Sequence, residues 1–292
     1  MYVDLHCHTY ASDGKTSPTE LIKKAHKMGF SVIAKTDHDS IDLTAEFLKA
    51  GKKYGIQTIS GIEISSRYKK KSVHIIGLNI NHTNKALISY TKSRNIARKK
   101  RGLKMASKLG SLGWHIKKSE FNRKNVVRPH IALSVINHSG NKTRLIKEFG
   151  SIPDFSTFIR AYIVPGKPCF VPKTFHLKPN LAIRLVHQAG GLAIIGHPKS
   201  KTNEFNYTDK YLTEIITKFS FDGLEVYSRD HTKTDIAKLA KLAKKYNLLI
   251  SAGSDYHGYD DSYPLGASNC GKKVNQKNCQ KLLDNIKLDK TN

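Results

Sequence analysis

The chain has 292 residues, which is long enough to bury a full core as one large α/β domain or as a domain with an insertion. Its 50 Lys and Arg residues against 23 Asp and Glu give a formal charge of +27, which points to an anionic partner such as nucleotide, RNA or acidic lipid. The alternative is that lysines are spread over the surface for solubility. No apolar run approaches the roughly 20 residues of a membrane span, which argues against a membrane protein.

Cysteine usage and the first residues bear on the cellular compartment. The four cysteines form no C-x-x-C motif and no paired framework, which is typical of free thiols in a reducing cytoplasm. The opening MYVDLHCH lacks a basic region followed by an apolar stretch, so we expect no secretory signal. We therefore expect a cytoplasmic protein with no membrane contact and no obligate protein partner.

Short β-branched apolar runs alternate with helical patterns along the chain. The predicted strands are 2–6, 31–37, 57–64, 73–78, 191–197, 222–227 and 248–255. A capping box at Ser17-Pro18-Thr19-Glu20 opens the first helix. Further helical patterns lie at about 42–54, 180–190, 208–219, 232–246 and 275–287. This alternation predicts parallel βα units and an α/β fold.

More than 100 residues separate the fourth predicted strand from the fifth, which is far longer than a normal crossover. We interpret 85–165 as an inserted, mostly helical subdomain, with 1–84 and 166–292 forming one discontinuous barrel domain. The insertion holds 18 Lys and Arg against three acidic residues, a net charge of +15. Such concentration favours a basic phosphate-binding face over uniform solubilisation.

Polar side chains follow the predicted strands where each one ends. In a β/α barrel these ends converge on one mouth, so residues distant in sequence would meet there. His74 instead begins its run, but a hairpin through RYKKKS would set it beside Glu63. A single histidine of this kind is more often a hydrogen-bonded structural residue, whereas the whole series favours a metal centre. The residues of the series are His6, His8, Asp37, His38, Glu63, His74, His197, Asp255 and His257.

With these motifs in place, the chain resembles the PHP (polymerase and histidinol phosphatase) superfamily of metal-dependent phosphoesterases. The matching stretches are DLHCHTYASDG (4–14), AKTDHDS (34–40), GIEIS (61–65), VHIIG (73–77), IGHP (195–198) and GSDYHG (253–258). It looks most like the branch that removes the 3′-phosphate from nucleoside 3′,5′-bisphosphates and trims RNA from the 5′ end. That branch also matches RPH (128–130), GKPCFVP (166–172) and LEVYS (224–228). The resemblance implies a distorted seven-stranded (β/α)7 barrel that holds three divalent metal ions, often manganese.

The family pattern, carried over residue by residue, assigns nine ligands. It implies that His6, His8, Glu63 and Asp255 hold the first metal, and that Glu63 bridges to a second completed by His74 and His197. It implies that Asp13, His38 and His257 hold the third. Mixed imidazole and carboxylate ligands suit Mn, Fe or Zn rather than Mg or Ca. We expect metal-activated hydroxide to attack phosphorus, with Glu63, Asp255 and His197 as the catalytic set.

Basic residues are the candidates for binding the substrate phosphate. Within RPH, Arg128 and His130 match a family motif that caps the metal cluster, although a surface arginine and a capping histidine are the alternative. Lys199 and Arg229 follow strand ends and are further candidate phosphate contacts. On the insertion, Arg94, Arg98 and Arg101 share a helical face and could bind a second phosphate or be solvated; solvation is the preferred interpretation.

We expect a phosphatase for nucleoside 3′,5′-bisphosphates that also acts on 5′-phosphorylated RNA. A histidinol-phosphate-type phosphatase has the same metals, but the basic insertion would repel its cationic substrate. A non-enzymatic nucleic-acid-binding protein fits the charge and conflicts with the intact ligand set. An amidohydrolase commonly uses a strand-borne lysine where this chain has Glu63.

Overall fold

The computed structural model describes residues 1–122, 126–173, 177–201, 204–259, 264–268 and 270–286. The chain divides into two compact units, Met1–Thr91 with His176–Asn292, and Lys92–Phe175. Within the described ranges, no helix is both long enough and apolar enough to cross a membrane.

The first unit is built on a sheet that nearly closes into a barrel. Its strands are β1 (Tyr2–Cys7), β2 (Phe30–Lys35), β3 (Gln57–Tyr68), β4 (Lys71–Leu78), β5 (Leu192–Ile195), β6 (Gly223–Ser228), β7 (Leu249–Gly253) and β8 (Val274–Asn275). Their order is β7-β6-β5-β4-β3-β2-β1-β8. An isolated parallel β-bridge pairs Cys7, the last residue of β1, with Tyr256, which follows β7. The predicted α/β barrel is confirmed. The two-residue β8 was not predicted, because so short a strand carries no periodicity.

Strand pairing follows from the connections between strands. The pairs joined by helical crossovers, β1 with β2, β2 with β3, β5 with β6 and β6 with β7, are parallel. The short turn after Tyr68 makes β3 and β4 an antiparallel hairpin, as predicted from RYKKKS. β4 pairs antiparallel with β5, and β1 with β8.

Helices cover the sheet and form most of the second unit. They are α1 (Pro18–Lys27), α2 (Thr44–Tyr54), α3 (Lys85–Ser111), α4 (Arg128–Ile136), α5 (Lys142–Phe149), α6 (Phe155–Tyr162), α7 (Pro179–Gln188), α8 (Asp209–Lys218), α9 (Lys233–Lys245) and α10 (Gln280–Asn285). The predicted capping box forms at α1, where Ser17 and Glu20 each bond the other's backbone N–H. α10 is shorter than predicted, because a 3₁₀ turn occupies Gln276–Cys279.

Apolar residues of the strands form the core beneath these helices. Val3 and Leu5 of β1 are fully buried with Val32 in one cluster, while Cys7 packs with Leu21 of α1. Full burial of one such aliphatic side chain contributes about 1.5–3 kcal/mol. Cys7 therefore has a packing role, although it stands between two histidines in sequence.

The unit Lys92–Phe175 has a core of its own. Trp114 is buried there beside Phe158, and the guanidinium of Arg144 lies 3.9 Å from the centre of the indole ring. Arg94 is also buried, so the interpretation of this arginine as solvated is wrong. Arg101 donates to the Val171 carbonyl at 2.7 Å, which fixes its guanidinium against the same unit.

Candidate metal centre

The strand ends bring the predicted ligands into one cluster. His6 lies in β1 and His8 just after it, while His38, His197 and Asp255 follow β2, β5 and β7. Glu63 and His74 lie on neighbouring strands of the hairpin, with Ser65 opposite His74, so the two ligands are diagonal neighbours. Asp13 and His257 come from the loops after β1 and β7.

Glu63 is the centre of the cluster. Its Oε1 lies 2.6 Å from His74 Nδ1, 3.2 Å from His197 Nε2 and 3.5 Å from His6 Nε2. Its Oε2 lies 2.6 Å from His38 Nδ1 and 3.5 Å from His8 Nε2. One fully buried carboxylate is thus surrounded by five imidazoles.

Three sets of ligand atoms are close enough to share a metal ion. Within each set, one ligand atom per residue lies within 4.8 Å of every other. His38 belongs to two sets, whereas the family pattern gives it to one. His197 stands outside the sets but lies 3.1 Å from His74 Nδ1 through its Nε2. The sets are His6, His8, Glu63 and Asp255; His8, Asp13, His38 and His257; and His38, Glu63 and His74.

Several buried ligand atoms have no hydrogen-bond partner among the described residues. They include His6 Nε2, His8 Nδ1 and His197 Nδ1. A buried polar atom without a partner costs about 1–3 kcal/mol, so such atoms are rare unless an ion or water satisfies them. Six imidazoles and three carboxylates also form the donor set preferred by Mn, Fe or Zn. The residues present therefore fit divalent cations.

The carboxylates remain charged despite their burial. Burial opposes the charge of Glu63, yet His38 and His74 hold the pKa of its carboxyl well below the usual range. Burial also opposes the charge of Asp255, but His257 and then Arg229 lower the pKa of that carboxyl. Both groups can thus act as anionic ligands at neutral pH.

The imidazoles divide into two kinds. Burial lowers the pKa of His8 and of His74 to about 4, so both rings are neutral at pH 7 and have a lone pair for a metal. Burial also disfavours the charged form of His257, but Asp13 and Asp255 outweigh it and raise the pKa of that ring to about 9. A metal at His257 must therefore displace a proton.

Glu225, which was not predicted as a site residue, orients two of the ligands. It is fully buried in β6, and its Oε1 accepts from His6 Nδ1 at 3.1 Å. Its Oε2 accepts from the backbone N–H of His197 at 2.6 Å. The first bond leaves His6 Nε2 facing Glu63. The second holds His197 at φ 25°, a left-handed conformation that costs about 1–3 kcal/mol in a non-glycine residue.

Asp37 holds the loop that carries Asp13. Its carboxylate accepts from the N–H and hydroxyl of Thr9, both at 2.8 Å, and from the Ser12 hydroxyl at 2.6 Å. The buried ammonium of Lys35 lies 2.9 Å from its Oδ2. These contacts show that Asp37 fixes the conformation of the loop and does not orient an imidazole.

Asp4 holds the loop that carries Asp255 in the same way, by accepting hydrogen bonds. It accepts from the N–H and hydroxyl of Ser254, at 3.0 and 2.6 Å, and from the Gly266 N–H at 2.9 Å. Asp255 stands next in the chain, at φ 52°. Buried acids thus fix the backbone on which the ligands stand.

The four candidate phosphate contacts lie in different surroundings. Arg229 donates to the Asp255 carbonyl and carboxylate, at 3.1 and 3.3 Å, so its charge lies at the cluster. The ammonium of Lys199 is held by Asp209 at 2.7 Å and by the Tyr207 carbonyl at 2.6 Å.

The other two candidates belong to the second unit. Arg128 is the first residue of α4, and the N–H of Val127 donates to Nδ1 of buried His130 at 3.3 Å. This bond is the capping contact considered as the alternative role of the histidine.

Comparison with known proteins decides the family. Residues 4–160 match the family model of the PHP domain. The chain belongs to the PHP domain family. It is 34% identical over 279 residues to a 5′-3′ exoribonuclease of Haemophilus influenzae, with 93% of each chain covered. It is 30% identical over 268 residues to a 3′,5′-nucleoside bisphosphate phosphatase of Chromobacterium violaceum, with 87% of each covered.

Solved structures agree with this membership. An amidohydrolase from Chromobacterium violaceum, with bound sulfate and no metal, superposes with a TM-score of 0.79 at 28% identity, over 98% of this chain and 97% of that one. A structure from Bifidobacterium adolescentis shares the fold, with a TM-score of 0.80 at 24% identity over 97% and 96% of the two chains. The predicted PHP family is confirmed, and the chain is a metal-dependent phosphoric ester hydrolase.

Proposed function

We propose that this PHP hydrolase removes the 3′-phosphate from nucleoside 3′,5′-bisphosphates and trims RNA from its 5′ end at the same centre. The observation that carries the proposal is the complete cluster around Glu63, in which nine buried or half-buried ligand side chains gather. Two relatives that share most of their length with this chain support the substrate class, one a 5′-3′ exoribonuclease and one a 3′,5′-nucleoside bisphosphate phosphatase.

Three divalent cations, manganese by preference and iron or zinc as alternatives, suit this donor set. His6, His8, Glu63 and Asp255 would hold the first, Glu63, His74 and His197 the second, and Asp13, His38 and His257 the third. Such ions supply Lewis acidity, which lowers the pKa of a bound water and neutralises phosphoryl oxygens.

The chain's own residues then have distinct parts in the reaction. Glu63 stays anionic beside five imidazoles, and with Asp255 and His197 it forms the proposed catalytic set that positions the reacting groups. The guanidinium of Arg229, beside Asp255, brings positive charge to the place where a phosphate would bind. Arg128 is the proposed second phosphate contact, with His130 beside it. Lys199 would first have to leave Asp209.

Charge and ligand type weigh against the competing enzymes. The unit Lys92–Phe175 contains 19 Lys and Arg and three acidic residues, a net charge of +16, which favours a polyanionic substrate over histidinol phosphate, whose ammonium group offsets part of its phosphate charge. An amidohydrolase of the lysine-bridged type is disfavoured because Glu63 occupies the central position. The buried Lys35 is paired with Asp37 instead.

A manganese-supplemented activity panel tests the proposal. Phosphate release is measured from adenosine 3′,5′-bisphosphate and histidinol phosphate, and nucleotide release from a short 5′-phosphorylated RNA. We expect the bisphosphate and the RNA to be hydrolysed with much higher kcat/KM than histidinol phosphate, and Glu63→Gln to abolish turnover while the barrel stays folded. A preference for histidinol phosphate, or normal activity in Glu63→Gln, would contradict the proposal.

A further inference from the structure

The long helix α3 presents a lysine face to solvent. It contains no acidic residue over 27 residues. Lys92, Lys99, Lys100 and Lys104 are all exposed, and no carboxylate of the described residues forms a salt bridge with any of them. We call these four residues the α3 lysine face.

The arginines of α3 differ from the lysines in their surroundings. Arg94 is buried, Arg98 is half-buried, and Arg101 is held by the Val171 carbonyl. The arginines of α3 are thus buried, half-buried or hydrogen-bonded, whereas the ammonium groups of the α3 lysine face are exposed and can meet a ligand. Lys108 is excluded from the face, because its ammonium reaches the carbonyls of Pro168 and Phe170.

Solubility alone does not account for this arrangement. A solvated helix usually intersperses acids and bases, because opposite charges at i and i+4 stabilise it and like charges destabilise it. Lys100 and Lys104 are such a like-charge pair, with no acid on the helix to offset them. A bound polyanion would remove this repulsion. The helix therefore has the charge pattern of a surface that binds phosphate groups.

We propose that the α3 lysine face binds the sugar-phosphate backbone of single-stranded RNA, an inference that rests on RNA being a substrate as proposed above. From Lys92 to Lys104 the helix extends about 18 Å at 1.5 Å per residue. This length is sufficient to contact several consecutive phosphates of one strand. Contacts to phosphates are independent of sequence, as a processive or end-trimming nuclease requires.

An acidic membrane is the other polyanion that a basic helix can meet. A helix that lies in a membrane interface buries a continuous apolar face. On α3 the large exposed apolar residues are Ile88, Ile96 and Leu103, at 45%, 62% and 50% exposure. Three side chains that lie about two helical turns apart from one another do not form a continuous apolar face, so the observations favour RNA.

Two quadruple variants with equal charge loss test the proposal. The first is Lys92→Gln, Lys99→Gln, Lys100→Gln and Lys104→Gln; the second changes four exposed lysines of α9, as Lys233→Gln, Lys238→Gln, Lys241→Gln and Lys244→Gln. Binding to a fluorescent phosphorothioate RNA of about 12 nucleotides, which resists cleavage, is measured by anisotropy at several salt concentrations. Circular dichroism checks that both variants are folded. Hydrolysis of adenosine 3′,5′-bisphosphate by the wild type tests the proposed function separately.

We expect the α3 variant to lose affinity for RNA and the α9 variant to keep it. Each lost phosphate contact should lower the slope of log affinity against log salt by about 0.7, so four contacts lower it by about 2.8. Equal losses in the two variants, or unchanged binding in the α3 variant, would overturn the proposal. So would binding of wild type to vesicles containing phosphatidylserine in the absence of RNA binding.

Discussion

Glu225 offers a sharp test of how the metal centre is held, because its two oxygens serve two different ligand residues. Oε1 accepts from His6 Nδ1 at 3.1 Å and Oε2 from the His197 N–H at 2.6 Å. Glu225→Gln keeps the size of the side chain but turns one of its oxygens into an NH₂ donor. Whichever way the amide is turned, one of the two bonds is lost.

The size of the effect follows from the bond that is lost. A hydrogen bond to a charged group contributes about 1.5–3 kcal/mol, and each 1.4 kcal/mol is about tenfold in affinity. If the NH₂ group of the introduced glutamine faces His6, Nδ1 can only accept from it, so the ring must carry its proton on Nε2, the nitrogen that faces Glu63. We therefore expect the affinity for Mn²⁺ to fall about 10- to 100-fold.

Calorimetric titration of metal-free protein with Mn²⁺ measures this change. Glu214→Gln is the matched control, because Glu214 makes two comparable bonds, to Tyr68 and Lys69, outside the cluster. Its affinity for Mn²⁺ should match wild type. An unchanged affinity in Glu225→Gln, with thermal unfolding equal to wild type, would refute the reasoning.

Three further predictions concern the centre and the substrate. Because the pKa of His257 is about 9, its ring is protonated at pH 7 and must lose a proton to bind a metal. The affinity for Mn²⁺ should therefore rise with pH up to about 9 and then stay constant. An affinity that does not change between pH 7 and 9 would contradict this. Gly253→Ala places a Cβ against His6 and 2.5 Å from Glu225 Oε1. It should lower the free energy of unfolding in urea by about 1–3 kcal/mol and lower the metal content. Wild-type values of both quantities would contradict this prediction. Arg128→Ala should lower kcat/KM for the bisphosphate about 10- to 100-fold without loss of metal. Unchanged kinetics would show that Arg128 does not contact the substrate.

The barrel and the positions of the ligands could be predicted from the sequence for a physical reason. Buried strands read as short apolar runs, and a histidine or carboxylate at the end of such a run interrupts the pattern where the chain reaches the barrel mouth. His74 was placed through its hairpin with Glu63, and the structure puts the two side chains 2.6 Å apart. These features depend on local order, which a sequence displays directly.

The supporting acids could not be assigned from sequence, because their partners are distant. Glu225 bonds His6 across 219 positions, and Asp4 bonds Ser254 across 250. Their only signal was a charged residue inside an otherwise apolar strand, which indicates a buried partner without naming it. Arg94 was misjudged for a related reason, since helical spacing shows which residues share a face and not which face is buried.

Metal content is the most direct measure of the central claim, that distant imidazoles and carboxylates gather around Glu63 to bind catalytic cations. Elemental analysis of the purified protein after equilibration with Mn²⁺ should find about three ions per chain, one for each ligand set. Glu63→Gln should retain fewer, because Glu63 belongs to two of the three sets. A folded wild-type protein without stoichiometric metal would contradict the account.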